Sequence, residues 1–320
     1  MTVASPLISV LVPAYNHAGY IETCLESIRL DPYPQTEVLV LDDGSMDDTL
    51  GVAQGWCGKF GHHFVRVQVA TQANQGIAAT LNTLIRSARG EYVAILASDD
   101  LLLPGGLQAR ATYLLEHPTH LAVFGDCQAI DEHGRLLHLS AMRGLYRSFV
   151  PALHSPAGRV RELILRWSVP GPGLMVRRSA YLSPGGIGLY DAALSVEDRP
   201  FYLKLLSRNA LGFLGAPVAQ YRVHSRQSVR SEQRQMQLLH DVVAAEEQAY
   251  PDFVGSEKLF LSLVIRRNKA QIVVLNTGDP LSRLRLRFLN LVLRAIYLFH
   301  IIVIRWDDLF SGRRGDRREC

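Results

Sequence analysis

This 320-residue sequence has little cysteine, little net charge and no long uncharged apolar run. Its four cysteines, Cys24, Cys57, Cys127 and Cys320, stand far apart and make no CxxC or Cys/His ligand spacing. That excludes a metal-ribbon reading and favours a reduced, cytoplasmic setting. Net charge is only +4, from 34 basic against 30 acidic residues, which gives no case for nucleic acid as a main partner. No basic region precedes the apolar run of MTVASPLISV, so no signal peptide is expected. In FLNLVLRAIYLFHIIVIRW (Phe288 to Trp306), Arg294 and His300 interrupt a stretch that would need about 20 apolar residues to span a membrane. No internal repeat is found.

What is present is a globular composition, 48% hydrophobic and 20% charged, long enough for one α/β domain and an appendage. LISVLVPAYN, TEVLVLDDGS, HFVRVQVA, YVAILASDD and HLAVFGD read as strands. Helical spacing lies between them at 20–29, 47–60, 76–88 and 104–117. Strands alternating with helices of this length predict a mostly parallel sheet with helices on both faces. The region 126–160 reads as a hairpin and loop, with a helix near 160–167, a short strand GLMV, a helix over 195–207 and a final strand AQYRVH. Residues beyond 224 read as helical, so a boundary is placed at residue 230: an α/β domain over 1–230 and a helical region over 231–320. From Arg283 onward nine arginines stand against four acids, about +5 on the tail.

The strand of YVAILASDD runs straight into Ser98, Asp99 and Asp100. Adjacent carboxylates repel unless a positive group sits beside them. In a parallel α/β sheet, ligands bind outside the carboxyl ends of the strands, and three strands here end in PAYN, DDGS and SDD. DDGSMDDT is equally accounted for by turn and helix-start chemistry. A cap needs one acid, however, whereas adjacent carboxylates suit Mg²⁺ or Mn²⁺ held together with substrate phosphates.

Taken together, SVLVPAYNHAGYIETCLESI, VLVLDDGSMDDT, NQGIAATLNTLIRSARGEYVAILASDD and SVEDRPFYLKLL followed by YRVH resemble the bacterial-type inverting family-two glycosyltransferases of the GT-A fold. The likeness runs from about residue 7 to 228. It implies a Rossmann-like α/β fold, a divalent metal (Mg²⁺ or Mn²⁺), a nucleotide-diphosphate sugar donor and a saccharide or lipid-linked saccharide acceptor. The setting it suggests is cell-surface polysaccharide or glycolipid synthesis. Pro13, Tyr15, Asn16, Asp42, Asp43, Asn74, Gly76 and Asp99 would line the nucleotide-sugar site. Within it Asp42 would accept a hydrogen bond from the base and Asp43 would support the turn. Asp99 and Asp100 would take the DxD-type position, with His224 near the metal. The family's commonest form has an acid where Ala97 stands here, which leaves the division of labour between Asp99 and Asp100 open.

In SVEDRPFYLKLL, Glu197 and Asp198 fit the first turn of a helix capped by Ser195. The resemblance instead makes Asp198 the general base and Glu197 a group that orients the acceptor. Arg199 and Pro200 depart from the family's usual continuation. His224 ending a strand also fits a purely structural role. The basic, interrupted C-terminal stretch reads either as a helix packed on the domain or as one lying on an anionic membrane, peripheral to the inner face of the plasma membrane. Competing classes are a sugar nucleotidyltransferase, which would carry a basic Gly-rich loop that PAYNHAGY lacks, a DxD phosphatase, which would carry its acids where Pro13-Ala14-Tyr15 stands, and a non-catalytic nucleotide-sugar or glycan-binding protein.

Overall fold

The computed structural model describes residues 5–224 and 232–311, so the expected boundary at residue 230 and the basic run 313–318 lie outside the described residues. The strands are β1 (Ile8–Ala14), β2 (Thr36–Asp42), β3 (Arg66–Thr71), β4 (Tyr92–Ile95), β5 (Leu101–Leu102), β6 (Ala122–Ile130), β7 (Leu136–His138), β8 (Leu174–Arg177) and β9 (Leu211–Arg222). The helices are α1 (Ile21–Leu30), α2 (Thr49–Phe60), α3 (Ile77–Ser87), α4 (Gly106–Glu116), α5 (Ala141–Gly144), α6 (Pro156–Arg166), α7 (Arg178–Leu182), α8 (Asp198–Ser207), α9 (Glu232–Ala249), α10 (Gly255–Thr277) and α11 (Pro280–Ser311).

All the strands belong to one sheet of order β3-β2-β1-β4-β8-β6-β9-β5, with β7 beside β6. The first four run parallel, as the alternation of strands and helices predicts. Beyond β4 the sheet is mixed: β8 is antiparallel to both β4 and β6, β9 is parallel to β6, and β5 is antiparallel to β9. β1 and β2 are buried along their whole length because both faces are covered. Val10, Val12, Val38 and Val40 share one core with Ile21, Leu25 and Ile28 of α1, Trp56 of α2, and Leu107 and Leu114 of α4. α3 packs against β1 and β2 as well.

One polar cluster interrupts the apolar strands. Glu37 on β2 is fully buried and accepts hydrogen bonds from the Ser9 hydroxyl, the Arg89 and Gly90 N–H groups and the Arg66 guanidinium. Burial would raise its pKa, but these four donors outweigh that and hold it below its ordinary 4.5.

The chain divides into two compact units: Met1–Arg147 with Ser168–Ser228, and Ser148–Trp167 with Val229–Cys320. The sequence marked a break only near residue 230, yet α6 groups with the C-terminal helices. In that second unit Phe260, Leu261 and Val264 of α10 are buried, and Asn268 donates a buried hydrogen bond to Glu246 of α9 at 2.9 Å. The Arg166 guanidinium of α6 lies 4.7 Å from the Tyr297 ring centre on α11.

Candidate active site

The strand order reverses at β1, which has β2 on one side and β4 on the other. Segments leaving neighbouring parallel strands diverge at such a point and open a crevice at their carboxyl ends. Asp42 ends β2, in register with Ala14 of β1 and Thr71 of β3. Its Oδ2 accepts from the Ser45 N–H (3.2 Å) and the Thr71 hydroxyl (3.0 Å). Its Oδ1 is buried and has no partner. A buried carboxylate oxygen without a donor is costly in a finished core, so Asp42 has capacity for a ligand N–H.

Asp43 is engaged differently. It accepts from Gln72 Nε2 (2.8 Å) and the Gln75 N–H (2.9 Å) at Oδ1, and from the Gly76 N–H (2.9 Å) at Oδ2. It thereby fastens the segment 72–76, which carries exposed Asn74 and leads into α3. Gly44 lets the two segments meet: it has φ +73°, and a Cβ there would lie 2.9 Å from the Asn74 nitrogen. Asn16, at φ 55°, ties the β1 and β2 segments together. Its N–H donates to Ser45 Oγ and its Oδ1 accepts from the Met46 N–H, each at 2.8 Å. Pro13 is buried in β1, and Tyr15 beyond it is exposed.

The cation beside Asp99 and Asp100 is Arg222, at the end of β9. The Asp100 carboxylate is 2% exposed and accepts the Arg222 N–H at 2.8 Å. Arg222 Nε donates to the Asp99 carbonyl at 2.7 Å, and its guanidinium reaches the Asp131 and Glu132 carbonyls and lies over the Tyr20 ring. Burial, and then the charge of Asp99, push the Asp100 carboxyl well above the ordinary carboxylate range. Asp99 uses its side chain in another direction: Oδ2 lies 3.0 Å from His224 Nε2, and Oδ1 lies 3.9 Å from His17 Nδ1. One ligand atom from each of His17, Asp99 and His224 lies within 4.8 Å of the others. Two imidazoles and a carboxylate form a donor set that fits a divalent transition ion. Of the three expected metal ligands the structure brings together Asp99 and His224, while Asp100 is turned to β9 and fixes the turn.

His17, Tyr20 and Arg222 were not foreseen. The Tyr20 ring stacks on His224 at 5.5 Å and meets His17 edge-on at 5.8 Å. Arg222 could have been suspected, because residues two apart on a strand share a face and His224 was already singled out. His17 directly follows PAYN, in a segment known to leave a strand end.

The second acid pair opens α8. The helix begins at Asp198, with Glu197 at its N-cap position, and the Glu197 side chain makes no capping hydrogen bond. Burial raises the Glu197 pKa. Burial, followed by the charge of Asp198, raises that of the Tyr202 phenol, whose other neighbours include Cys127 and Tyr146. Tyr146 in turn senses Cys127 and Asp100.

The mixed α/β sheet with acids at the carboxyl ends of its parallel strands agrees with the GT-A fold of the glycosyltransferases that the chain matches. The family described as Glycosyl transferase family 2 matches residues 9–181, more than half of the chain, and the chain belongs to it. Chondroitin synthase of Escherichia coli is 36% identical over 132 residues, 41% of this chain and 19% of the synthase, so the likeness spans about a fifth of that protein. Among solved structures, S. aureus TarS 1-349 in complex with UDP superposes with TM-score 0.59 at 21% identity, covering 83% of this chain and 72% of the other. The mannosyltransferase PcManGT from Pyrobaculum calidifontis, in complex with GDP-Man and Mn²⁺, gives 0.58 at 18% identity, covering 97% and 88%. At such identities these two likenesses concern the fold.

Proposed function

We propose that this glycosyltransferase moves a sugar from a nucleotide-diphosphate donor to an acceptor hydroxyl with inversion, aided by a divalent cation. The observation that carries this reading is the convergence of His17, Asp99 and His224, beyond β1, β4 and β9, at the edge of the sheet where Asp42 of β2 keeps an unused buried oxygen. Asp42 would accept an N–H of the base, and the segment fastened by Asp43 would lie along the nucleotide. A cation held by Asp99 and His224 would neutralise charge on the departing diphosphate. PcManGT, a structural neighbour, was solved with GDP-Man and Mn²⁺.

Asp198 is the proposed base. It takes the proton from the acceptor hydroxyl as that oxygen bonds to the anomeric carbon from the face opposite the diphosphate. The electron pair of the broken bond leaves on the diphosphate oxygen, and the configuration inverts. Glu197 beside it would orient the acceptor.

A saccharide acceptor on a lipid suits the second unit. Leu281, Leu284, Phe288, Leu291, Leu298 and Ile302 of α11 are all exposed, and their spacing of three, four or seven residues puts them on one face. Arg283, Arg285, Arg287 and Arg294 are exposed on the same helix. Among the described residues no helix is long and apolar enough to cross a membrane. A basic helix with an apolar face would lie on an anionic surface. On this reading the protein would work peripherally, on the inner face of a membrane where polysaccharide or glycolipid is made.

The test is a panel of UDP-, GDP- and dTDP-sugars, each with Mn²⁺. The expected result is thermal stabilisation by one nucleotide class, followed by its hydrolysis or transfer. A panel with no stabilisation and no turnover would remove the donor assignment.

A further inference from the structure

We propose that His17 is a third protein ligand of the cation, so that the chain alone binds a first-row transition ion, Mn²⁺ in preference to Mg²⁺, before any nucleotide arrives. This rests on the reading that a cation serves the donor site, and it adds the ligand count, the order of binding and the metal preference.

The geometry is close to formed. His224 Nε2 is 3.0 Å from one oxygen of Asp99, and His17 Nδ1 is 3.9 Å from the other. Donor atoms bound to a common ion at about 2.1–2.2 Å can be at most about 4.4 Å apart. The three donors all lie within 4.8 Å of one another, at most a few tenths of an ångström beyond that limit.

The imidazoles are also positioned from outside. The His17 backbone N–H is held by Thr49 Oγ1 at 2.8 Å, and its Nδ1 lies 2.8 Å from Ser98 Oγ, a neutral partner that the cation would displace. The Tyr20 ring contacts both imidazoles, and Arg222 lies over Tyr20. Groups that orient ligands in this way reduce the ordering that binding requires.

Two consequences follow from the donor set. Mg²⁺ is usually held by one or two carboxylates and relies on substrate phosphates to complete its shell. Three protein donors on strand-end segments remove that dependence. Two nitrogen donors also shift preference toward first-row transition ions, since imidazole is a poorer partner for Mg²⁺ than for Mn²⁺ and its heavier neighbours.

The experiment titrates Mn²⁺ into the full chain without nucleotide and follows free Mn²⁺ by electron paramagnetic resonance, with excess Mg²⁺ as competitor. Electron spin-echo spectra of the bound ion count its nitrogen ligands. The expected result is one Mn²⁺ per chain, retained against Mg²⁺ in roughly hundredfold excess, with two imidazole nitrogens coupled to it. His17→Ala should weaken nucleotide-free Mn²⁺ binding by about tenfold or more. The nitrogen count is read on the wild-type chain, so it decides the matter even if that variant folds poorly. One coupled nitrogen, or binding that appears only when UDP or GDP is added and is unchanged in His17→Ala, overturns the role of His17 and leaves the cation reading standing on Asp99 and His224. No bound Mn²⁺ with or without nucleotide overturns both.

Discussion

Asp43→Asn isolates the fastening of the segment 72–76 from any contact with ligand. The carboxylate is 5% exposed and receives three donors, two at one oxygen and one at the other. An amide of the same shape keeps one oxygen. If that oxygen stays with Gln72 and Gln75, the new NH₂ faces the Gly76 N–H, and two donors confront each other. A hydrogen bond to a charged group contributes about 1.5–3 kcal/mol net, and an orphaned buried donor costs about 1–3 kcal/mol. The expected loss is therefore about 2–4 kcal/mol. For a unit of this size that corresponds to a melting decrease of roughly 5–15 °C if it is felt globally. If instead only the segment opens, amide hydrogen exchange at Gln75 and Gly76 should accelerate while β1 and β2 stay protected. In either case nucleotide-diphosphate affinity should fall at least about tenfold, because the segment must be ordered again on binding. Unchanged melting together with unchanged exchange at Gln75 and Gly76 would refute the reasoning.

Asp198→Asn should reduce turnover by about 10²–10⁴-fold and spare donor affinity and melting, since an amide cannot take the acceptor's proton; near-normal turnover would leave Asp198 as a first-turn acid. Glu37 has a folded pKa below 4.5, so its contribution is fully present above that value and is lost as pH falls through the lower folded value. Acid titration should therefore show a stability loss below about pH 4.5 that Glu37→Gln lacks, and parallel curves would contradict the four-donor account. Replacing Leu284, Phe288 and Leu291 together with Ser should abolish sedimentation with anionic vesicles and leave neutral vesicles unbound throughout. Binding that survives the triple change would rule out the α11 face as the docking surface.

How much of this was readable beforehand depended on the kind of information each feature needs. β1, β2 and β4 were legible because both of their faces are buried, so the apolar runs are continuous and flanked by turn residues. Strand direction beyond β4 was not, because a short apolar run such as Leu174–Arg177 has the same periodicity in either orientation. β9 begins at Leu211, eight residues before the predicted start, because Gly215, Ala216 and Pro217 break its apolar pattern in an exposed, irregularly paired stretch. Asp42, Asp43 and Asp99 stood out because a strand end is a local feature. The different roles of Asp99 and Asp100 did not, because they are set by Arg222 and His224 more than a hundred residues away. Backbone pairing at the end of β9 consumes one acid, and the crevice keeps the other.

The central claim is that the β1, β2 and β4 ends bind a nucleotide diphosphate through a cation held by Asp99 and His224. Calorimetric titration of UDP and GDP into the protein, with Mn²⁺ and then with EDTA, tests it most directly. The account predicts binding of one nucleotide with Mn²⁺, loss of that binding in EDTA, and loss in Asp99→Asn even with Mn²⁺ present. Equal affinity in Mn²⁺ and EDTA, or an Asp99→Asn variant that binds as the parent does, would contradict it.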